Sequence, residues 1–493
     1  MNRFTLFNLF VPGIVALLPC DARGDEKARS PAAAYELKPG PQLFIDDFLI
    51  ERVEGIQRRV MQPKRTLDEP VITAAHGHLN WQPWLTVIHD DSRPAESRFR
   101  VWYNADVDAN PAEGKFRTKL GYLESSDGVR WPGTPQKLEK VGDILFGASV
   151  IDDGPKFARP DERYKILYWR NVVPSVAFSP DGLKWTMHNG GRQILDPTGD
   201  SWHAAYDPLR QRYFLFGKSN QVHNWTNAEG KALSKRLRLF GTATSDDFKT
   251  WKDFKIQFAT DEYDPGITEG YAVTGFQTRG DLLFGFFQVL RDDLSTEGAP
   301  YAAKVANPTT AAGMGHTVLC WTRDGETWHR DREPDAFLTP DPKVGTWDHA
   351  MAWVSSVVPV GDELFVYYTG YRWGHKYRRS EDRQVGLVRM RRDRYVAREA
   401  ADQPGVLTTR PLTLNVDGLT LNLDAAHGEA RVQVCDVAGK PLPGFTFAEC
   451  RPIAEDSLAA AVVWSHKLSE LRGQTVRLQF SLRQAKLFAF DTR

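Results

Sequence analysis

The fold is decided by a seven-residue sequence that occurs four times. It first appears as Ser125-Ser-Asp-Gly-Val-Arg-Trp131, and it recurs as Ser179-Pro-Asp-Gly-Leu-Lys-Trp185, Ser245-Asp-Asp-Phe-Lys-Thr-Trp251 and Thr322-Arg-Asp-Gly-Glu-Thr-Trp328. In turns, an Asp side chain accepts backbone N–H bonds, Gly adopts positive φ, and a Trp can cover the turn with an apolar lid. We call each copy a turn box, and the pattern predicts the same turn at all four places.

Each turn box follows a run of aromatic and β-branched residues that is typical of a β-strand. These runs are Arg100–Tyr103, Arg163–Trp169, Arg212–Phe216 and Leu283–Phe287, with a fifth at Glu363–Tyr368 before the degenerate box Gly386–Asp393. Each run is preceded by another predicted strand, so a group of three or four strands recurs five times. This periodicity predicts an all-β fold with a five-bladed β-propeller over residues 41–400. Scattered hairpins of a β-sandwich would explain neither the repeated order nor the shared Trp spacing.

The composition changes near Ala401. Short predicted strands follow at Ala430–Val434, Val476–Leu482 and Leu487–Phe490, separated by turn residues such as Asp417-Gly418. This pattern predicts a small C-terminal β-sandwich over residues 402–493. We expect it to give structural support or to contact carbohydrate.

The overall composition excludes several classes of protein. The chain has 493 residues, with 63 Lys and Arg against 63 Asp and Glu, so bulk charge does not favour nucleic acid as a partner. Its 41% hydrophobic content is enough for a folded core. The chain has 15 Trp residues, and each of the four turn boxes contains one, so the remaining Trp residues require a second explanation.

The N-terminus resembles an export signal. A short basic start leads into the apolar stretch Phe4–Pro19, and a cut after Gly24 would follow a small-x-small pattern. We predict a cleaved signal peptide over residues 1–24, export to the periplasm or the outside of the cell, and no membrane segment after cleavage. A lipoprotein anchored through Cys20 is the minor alternative. Cys435 and Cys450 either form a disulfide or are small buried residues, and the sequence leaves both options open.

The turn boxes resemble those of secreted five-bladed propeller glycoside hydrolases, the relatives of arabinanases, invertases and levanases. The beginning Leu43-Phe-Ile-Asp-Asp47 is similar to a branch of exported bacterial hydrolase-like proteins. The resemblance implies a glycosidase that acts in a central funnel through paired carboxylates. The chain departs from the invertase pattern at Leu79-Asn-Trp-Gln-Pro83, where that pattern has an acidic residue. The catalytic pair is then elsewhere, or the chemistry differs, or the protein binds sugar without cleaving it.

Propeller topology predicts which residues reach the funnel. Innermost strands run from the top of the funnel to the bottom, so the turn boxes lie at the bottom and the starts of innermost strands lie at the top. The top therefore collects aromatic, histidine and charged residues that suit a sugar. The candidates for substrate binding are Trp81, His78, Trp202, His203, His349, Arg170, Lys218, Arg372 and His375.

Glycoside hydrolysis requires two carboxyl groups, one to protonate the leaving oxygen and one to activate water or attack carbon. We predict Glu269 as the acid, because related propellers take a Glu from a central blade, and Asp200 or Asp348 as the base or nucleophile. The alternatives are an edge-strand cap for Asp200, a salt bridge to an arginine for Glu269, and a contact with His349 for Asp348.

The predicted activity is cleavage of a glycosidic bond in a plant or algal polysaccharide or oligosaccharide. The alternatives are a carbohydrate-binding propeller without catalysis, and phosphorolysis or elimination on a sugar. Close metal-ligand spacing is absent from the sequence, so we predict no cofactor and no catalytic metal, while a structural cation in the funnel stays open.

Overall fold

The structure is a computed structural model that describes residues 34–37, 40–77, 84–106, 118–141, 144, 147–170, 173–196, 199–298, 311–377 and 383–492. Within these ranges the regular structure consists of β-strands and short 3-10 turns. The 3-10 turns are Ala74–His76, Ala95–Ser97, Glu139–Val141, Pro160–Glu162, His188–Gly191 and Leu468–Leu471. In the described part of the chain, no helix has the length and apolar character needed to span a bilayer.

The first seventeen strands lie within residues 34–258. In chain order they are β1 (Tyr35–Glu36), β2 (Gln42–Leu43), β3 (Ile50–Glu54), β4 (Gln57–Val60), β5 (Lys64–Arg65), β6 (Leu85–His89), β7 (Phe99–Asp106), β8 (Thr118–Ser125), β9 (Gln136–Leu138), β10 (Ala148–Asp152), β11 (Tyr164–Arg170), β12 (Val173–Ser179), β13 (Thr186–Met187), β14 (His203–Asp207), β15 (Arg212–Thr226), β16 (Ala232–Ser245) and β17 (Lys252–Phe258).

The second half contains the other strands of the described residues. They are β18 (Thr268–Arg279), β19 (Leu282–Arg291), β20 (Met314–Thr322), β21 (His329–Arg330), β22 (Met351–Val360), β23 (Glu363–Tyr371), β24 (Arg383–Arg391), β25 (Val396–Ala400), β26 (Gly405–Thr409), β27 (Leu412–Thr413), β28 (Leu419–Asp424), β29 (Glu429–Cys435), β30 (Asp456–Ala461), β31 (Thr475–Arg483) and β32 (Ala485–Thr492).

Five consecutive antiparallel units follow one another along the chain. Unit 1 is β6–β9, unit 2 is β10–β13, unit 3 is β14–β17 and unit 4 is β18–β21. Unit 5 consists of β22, β23 and β24, and its fourth strand is β5 from the N-terminal part of the chain. Units 4 and 5 are joined by one parallel bridge between Gly315 and Met351. The five predicted aromatic runs lie on the second strand of each unit, which confirms those strand predictions.

The first strands of the five units are arranged in a ring. β6 contacts β10, β10 contacts β14, β14 contacts β18, β18 contacts β22, and β22 contacts β6. Between them lies a cavity of about 340 Å³, which all five first strands line. The ring therefore encloses a central space, and the ends at which the first strands begin surround one of its openings.

The turn boxes form the turns that their sequence predicts. In the first box, Asp127 Oδ1 accepts the backbone N–H groups of Val129 and Arg130, both at 2.8 Å. Gly128 has a φ of +68°, and Trp131 is buried beneath the turn. The other three boxes repeat this arrangement, although Phe248 stands at the glycine position of the third box with a φ of +64°.

The boxes also connect neighbouring units. The Tyr367 hydroxyl of unit 5 donates to the Gly128 carbonyl oxygen at 2.7 Å, and Trp102 Nε1 of unit 1 donates to the Gly182 carbonyl oxygen at 2.8 Å. These bonds join unit 5 to unit 1 and unit 1 to unit 2. A box is therefore a local turn and a contact between units at the same time.

Two six-stranded sheets lie outside the ring. One contains β1, β3, β26, β27, β29 and β31, and the other contains β2, β4, β25, β28, β30 and β32. They share one hydrophobic cluster, to which both β31 and β32 contribute. Four N-terminal strands thus pair with the C-terminal part of the chain, while only β5 joins unit 5. Cys435 and Cys450 are buried free thiols, which decides between the two options that the sequence left open.

Candidate active site

Two carboxylates lie where the first strands of units 3 and 4 begin. Asp200 precedes β14, and Glu269 is the second residue of β18. The hairpin β15–β16 pairs over fourteen residue positions, far beyond the five of β14. This long hairpin carries Lys218 to Asp200 and Arg238 to Glu269.

Each of the two carboxylates binds one cation. Asp200 forms an ion pair with Lys218. Glu269 Oε2 accepts the backbone N–H of Arg238 at 3.1 Å and its Nη1 at 3.0 Å. The Glu269 side chain is 3% exposed, whereas those of Asp200 and Arg238 are 24% and 23% exposed. Asp200 and Arg238 therefore form the side of this group that solvent reaches.

The two ion pairs act on each other. Burial lowers the pKa of Lys218, and the charges of Asp200 and Glu269 both oppose that shift. Burial would also lower the pKa of Arg238, but Glu269, with a contribution from Asp200, raises it overall. Because both carboxylates act on both cations, the four side chains form one electrostatic group.

Aromatic rings form the floor beside this group. Tyr271 stacks on Trp353 with ring centroids 4.0 Å apart, and the ring of His375 lies 4.9 Å from that of Tyr271. Trp84 is stacked 6.3 Å from Tyr271, and Tyr371 meets Trp353 edge-on at 5.7 Å. We call the set Asp200, Lys218, Arg238, Glu269 and Tyr271, with its aromatic floor, the polar pocket.

Three buried polar atoms in or beside the floor have no hydrogen-bond partner among the described residues: Trp84 Nε1, His203 Nε2 and the Tyr271 hydroxyl. A Cβ added to Gly147 would lie 3.4 Å from His203 Nε2 and 3.5 Å from Trp84 Nε1, so these two atoms face the same small space. Burial lowers the pKa of His203 to about 3, and the imidazole is therefore neutral. Buried polar atoms are normally paired, so unpaired ones that converge mark a place for a ligand hydroxyl or for water.

The third predicted carboxylate has different partners. Asp348 Oδ2 accepts from the Tyr368 hydroxyl at 2.7 Å and from Arg65 Nε at 3.2 Å. Tyr368 lies on the second strand of unit 5, and Arg65 on its outermost strand. The structure therefore brings Asp200 and Glu269 together and places Asp348 among strands away from the ring. His349 lies next to it, with Nδ1 2.8 Å from the Asp341 carbonyl oxygen.

The predicted substrate-binding residues fall into several places. Trp202 is 0% exposed, stacks on Trp169 and covers Gly217, so neither face of its ring is free. Arg170 Nη1 lies 3.2 Å from Met187 Sδ on the outer strand of unit 2. Arg372 is exposed and lies over the ring of Trp373.

Of the remaining predictions, His203, Lys218 and His375 lie in or beside the polar pocket, as described above. Trp81 and His78 lie outside the described residues.

The sequence-based prediction missed Arg238, Trp84 and Arg383. Arg238 had no clear signal, because it lies on a strand whose partner segment Lys218–Asn224 is polar and resembles a loop in sequence. Tyr271 is two residues after Glu269, but β18 has a register irregularity between Gly270 and Ala272, so simple alternation along the strand does not predict its position. Among the described residues, no three histidine, cysteine or acidic side chains are grouped so that they could hold a metal ion.

No family model and no curated protein matches this chain. Several solved structures are similar to it. They include a glycosyl hydrolase from Bacteroides ovatus (16% identity, 72% of this chain and 98% of that one, TM-score 0.41) and a GH32 beta-fructofuranosidase from Bombyx mori (11% identity, 86% and 95%, TM-score 0.37). A third is a beta-1,2-mannobiose phosphorylase from Listeria innocua (13% identity, 73% and 90%, TM-score 0.37).

Proposed function

We propose that the chain is a five-bladed β-propeller joined to a β-sandwich. The five antiparallel units are the blades, the ring of first strands encloses the central funnel, and β5 closes the last blade from the N-terminal side. The domain limits predicted from the sequence, 41–400 and 402–493, would then need one refinement. The strands β2, β3 and β4 at the start of this range, and β25 at its end, pair with the sandwich sheets rather than with a blade.

We infer that the protein is an exported glycoside hydrolase that acts on a plant or algal polysaccharide or oligosaccharide. One observation carries this inference: Asp200 and Glu269, at the starts of adjacent first strands, each pair with a cation of the same hairpin β15–β16, beside stacked aromatic rings. Paired carboxyl groups are what the hydrolysis of a glycosidic bond requires. Aromatic faces and unpaired polar atoms suit a sugar, which presents both C–H surfaces and hydroxyl groups.

The burial of the two carboxyl groups suggests their roles. Glu269 is the more deeply buried of the two and is assigned as the acid that protonates the leaving oxygen. Asp200 is more exposed and is assigned as the base that activates water, or as the nucleophile that attacks carbon. Because Arg238 holds Glu269 in an ion pair, the acid role requires that a bound substrate weakens this pair.

A carbohydrate-binding protein without catalysis is the second candidate. It is favoured by one observation, that both carboxylates are already held in ion pairs. A binding site can use such pairs to orient hydroxyl groups without any proton transfer. The two candidates differ in whether a glycan is cleaved.

The test is a panel of plant and algal glycans incubated with the purified protein and with Glu269→Gln. We expect new reducing ends from at least one glycan, and a loss of turnover of about 10²- to 10⁴-fold in the variant. Glu262→Gln is the matched control, because Glu262 is an exposed carboxylate near the same end of unit 4. Binding of a glycan without any cleavage would contradict the hydrolase and favour the binding protein. Full turnover by Glu269→Gln would remove Glu269 as the acid.

A further inference from the structure

A buried arginine beside the polar pocket has donors for which the described residues provide no acceptor. Arg383 is the first residue of β24 and is 4% exposed. Its Nη2 donates to the His375 carbonyl oxygen at 3.1 Å, and its guanidinium lies 4.3 Å from the ring centre of Tyr371. Its Nε and Nη1 are buried and have no hydrogen-bond partner in the part of the chain that the structure describes. A guanidinium is always charged, so burial without an anion is costly.

The carboxylates nearby are already occupied by other cations. Asp200 pairs with Lys218, and Glu269 pairs with Arg238. In the adjoining part of the same face, Asp292 is shared by Lys235 at 2.9 Å and Lys376 at 2.7 Å. Among the described residues, therefore, the cations of this region outnumber its carboxylates, and Arg383 is the one for which no ion pair is found.

Arg383 lies beside the aromatic floor of the polar pocket. Its guanidinium lies over the ring of Tyr371, which meets Trp353 edge-on at 5.7 Å, and Trp353 stacks on Tyr271 at 4.0 Å. Burial raises the pKa of Tyr271 well above its ordinary value, so its hydroxyl keeps its proton. This hydroxyl is a second buried donor for which the described residues provide no partner.

We propose that Arg383 binds an oxyanion of the ligand, either the carboxylate of an acidic sugar residue in the substrate or inorganic phosphate acting in place of water. Arginine donors in a fixed plane match the oxygens of both groups. A charged oxygen in this place would pair with the buried guanidinium and can accept from the Tyr271 hydroxyl. The assignment of the carboxylate to a sugar rests on the proposed function, and it narrows the substrate to an acidic glycan.

The test compares three probes at equal ionic strength: sodium glucuronate, its neutral methyl ester and sodium phosphate. Binding to the full chain is measured by calorimetry. We expect glucuronate to bind at least about tenfold more tightly than the ester if the anion is part of the sugar. Phosphate binding without glucuronate binding would identify phosphate as the anion. If neither anion binds more tightly than the ester, the proposal is overturned.

Variants locate the binding. Arg383→Gln should weaken binding of the effective anion at least about tenfold. Arg236→Gln removes the same charge from an exposed position on β16 and should leave binding unchanged. Equal weakening in both variants, or in neither, would contradict a role for Arg383. If Arg383→Gln does not fold, the comparison of glucuronate with its ester in the unaltered protein still decides whether an anion is recognised.

These measurements need no turnover. A glycan panel without any cleavage would refute the hydrolase. Whether Arg383 binds an anion would still be decided by the calorimetric measurements.

Discussion

The carboxylates of the turn boxes and those of the polar pocket have different kinds of binding partner. Each box Asp accepts two backbone N–H groups of its own turn, at 2.7–2.9 Å, and needs no residue from elsewhere. Asp200 and Glu269 instead bind cations that the long hairpin β15–β16 supplies. The box is therefore a local structure that can be repeated, whereas the pocket exists only once the units are assembled.

The largest effect expected from this difference is on turnover. Asp200→Asn removes the charge that Lys218 neutralises and the group assigned as base or nucleophile. We expect turnover of the cleaved glycan to fall about 10²- to 10⁴-fold, because the neutral amide can neither accept the proton nor attack carbon. The measurement is the initial rate at saturating substrate, with the melting temperature recorded for the same sample.

Asp127→Asn is the matched change at the opposite end of the ring. It alters a carboxylate of the same type that binds only its own turn, so turnover should stay close to that of the unaltered protein. If Asp127→Asn reduced turnover as strongly as Asp200→Asn, the separation between structural and pocket carboxylates would be wrong.

The difference between the two regions also explains what could be predicted from the sequence. The boxes and the aromatic strands were predictable because the turn forms from seven neighbouring residues and the strand from a local pattern. Glu269 and Asp200 were predictable in position, since they stand next to the starts of strands. Arg238 was not predictable. Its position depends on a long hairpin, and the first strand of that hairpin continues through polar residues after Lys218 that resemble a loop in sequence. Trp202 and Asp348 also precede first strands, but both are buried in the interior. Trp202 packs against Gly217, and Asp348 pairs with Arg65.

The tryptophans at the two ends of the ring differ in burial. Trp185 of the second box is 1% exposed and packs in the core of units 1 and 2, whereas Trp373 is only partly buried beside Arg372. Trp185→Ala should lower the free energy of unfolding by about 3–5 kcal/mol, because it leaves a large cavity. Trp373→Ala should change it by about 0.5 kcal/mol or less. Urea denaturation followed by circular dichroism measures both, and equal losses would show that the box tryptophan has no special structural role.

The smallest expected effect is the response of a box carboxylate to acid. Burial would raise the pKa of Asp324, but the N–H groups of Thr327 and Glu326 and the Thr322 hydroxyl bring it down to about 2, from 3.8. A carboxyl with a lower pKa in the folded state stabilises the protein above pH 3.8, and this stabilisation is lost as the pH falls from about 4 to 2. Asp324→Asn should therefore lower the melting temperature by about 2 °C or less at pH 6, since the group is exposed to water, and the difference should shrink below pH 4.

Asp246→Asn is the control. Asp246 directly precedes Asp247 in the third box, and the N–H groups of that turn bind Asp247 instead, so the change should show no such trend with pH. A difference for Asp324→Asn that stays constant from pH 6 to pH 2 would mean that the amide disturbs the turn itself rather than removing a charge that the turn stabilises.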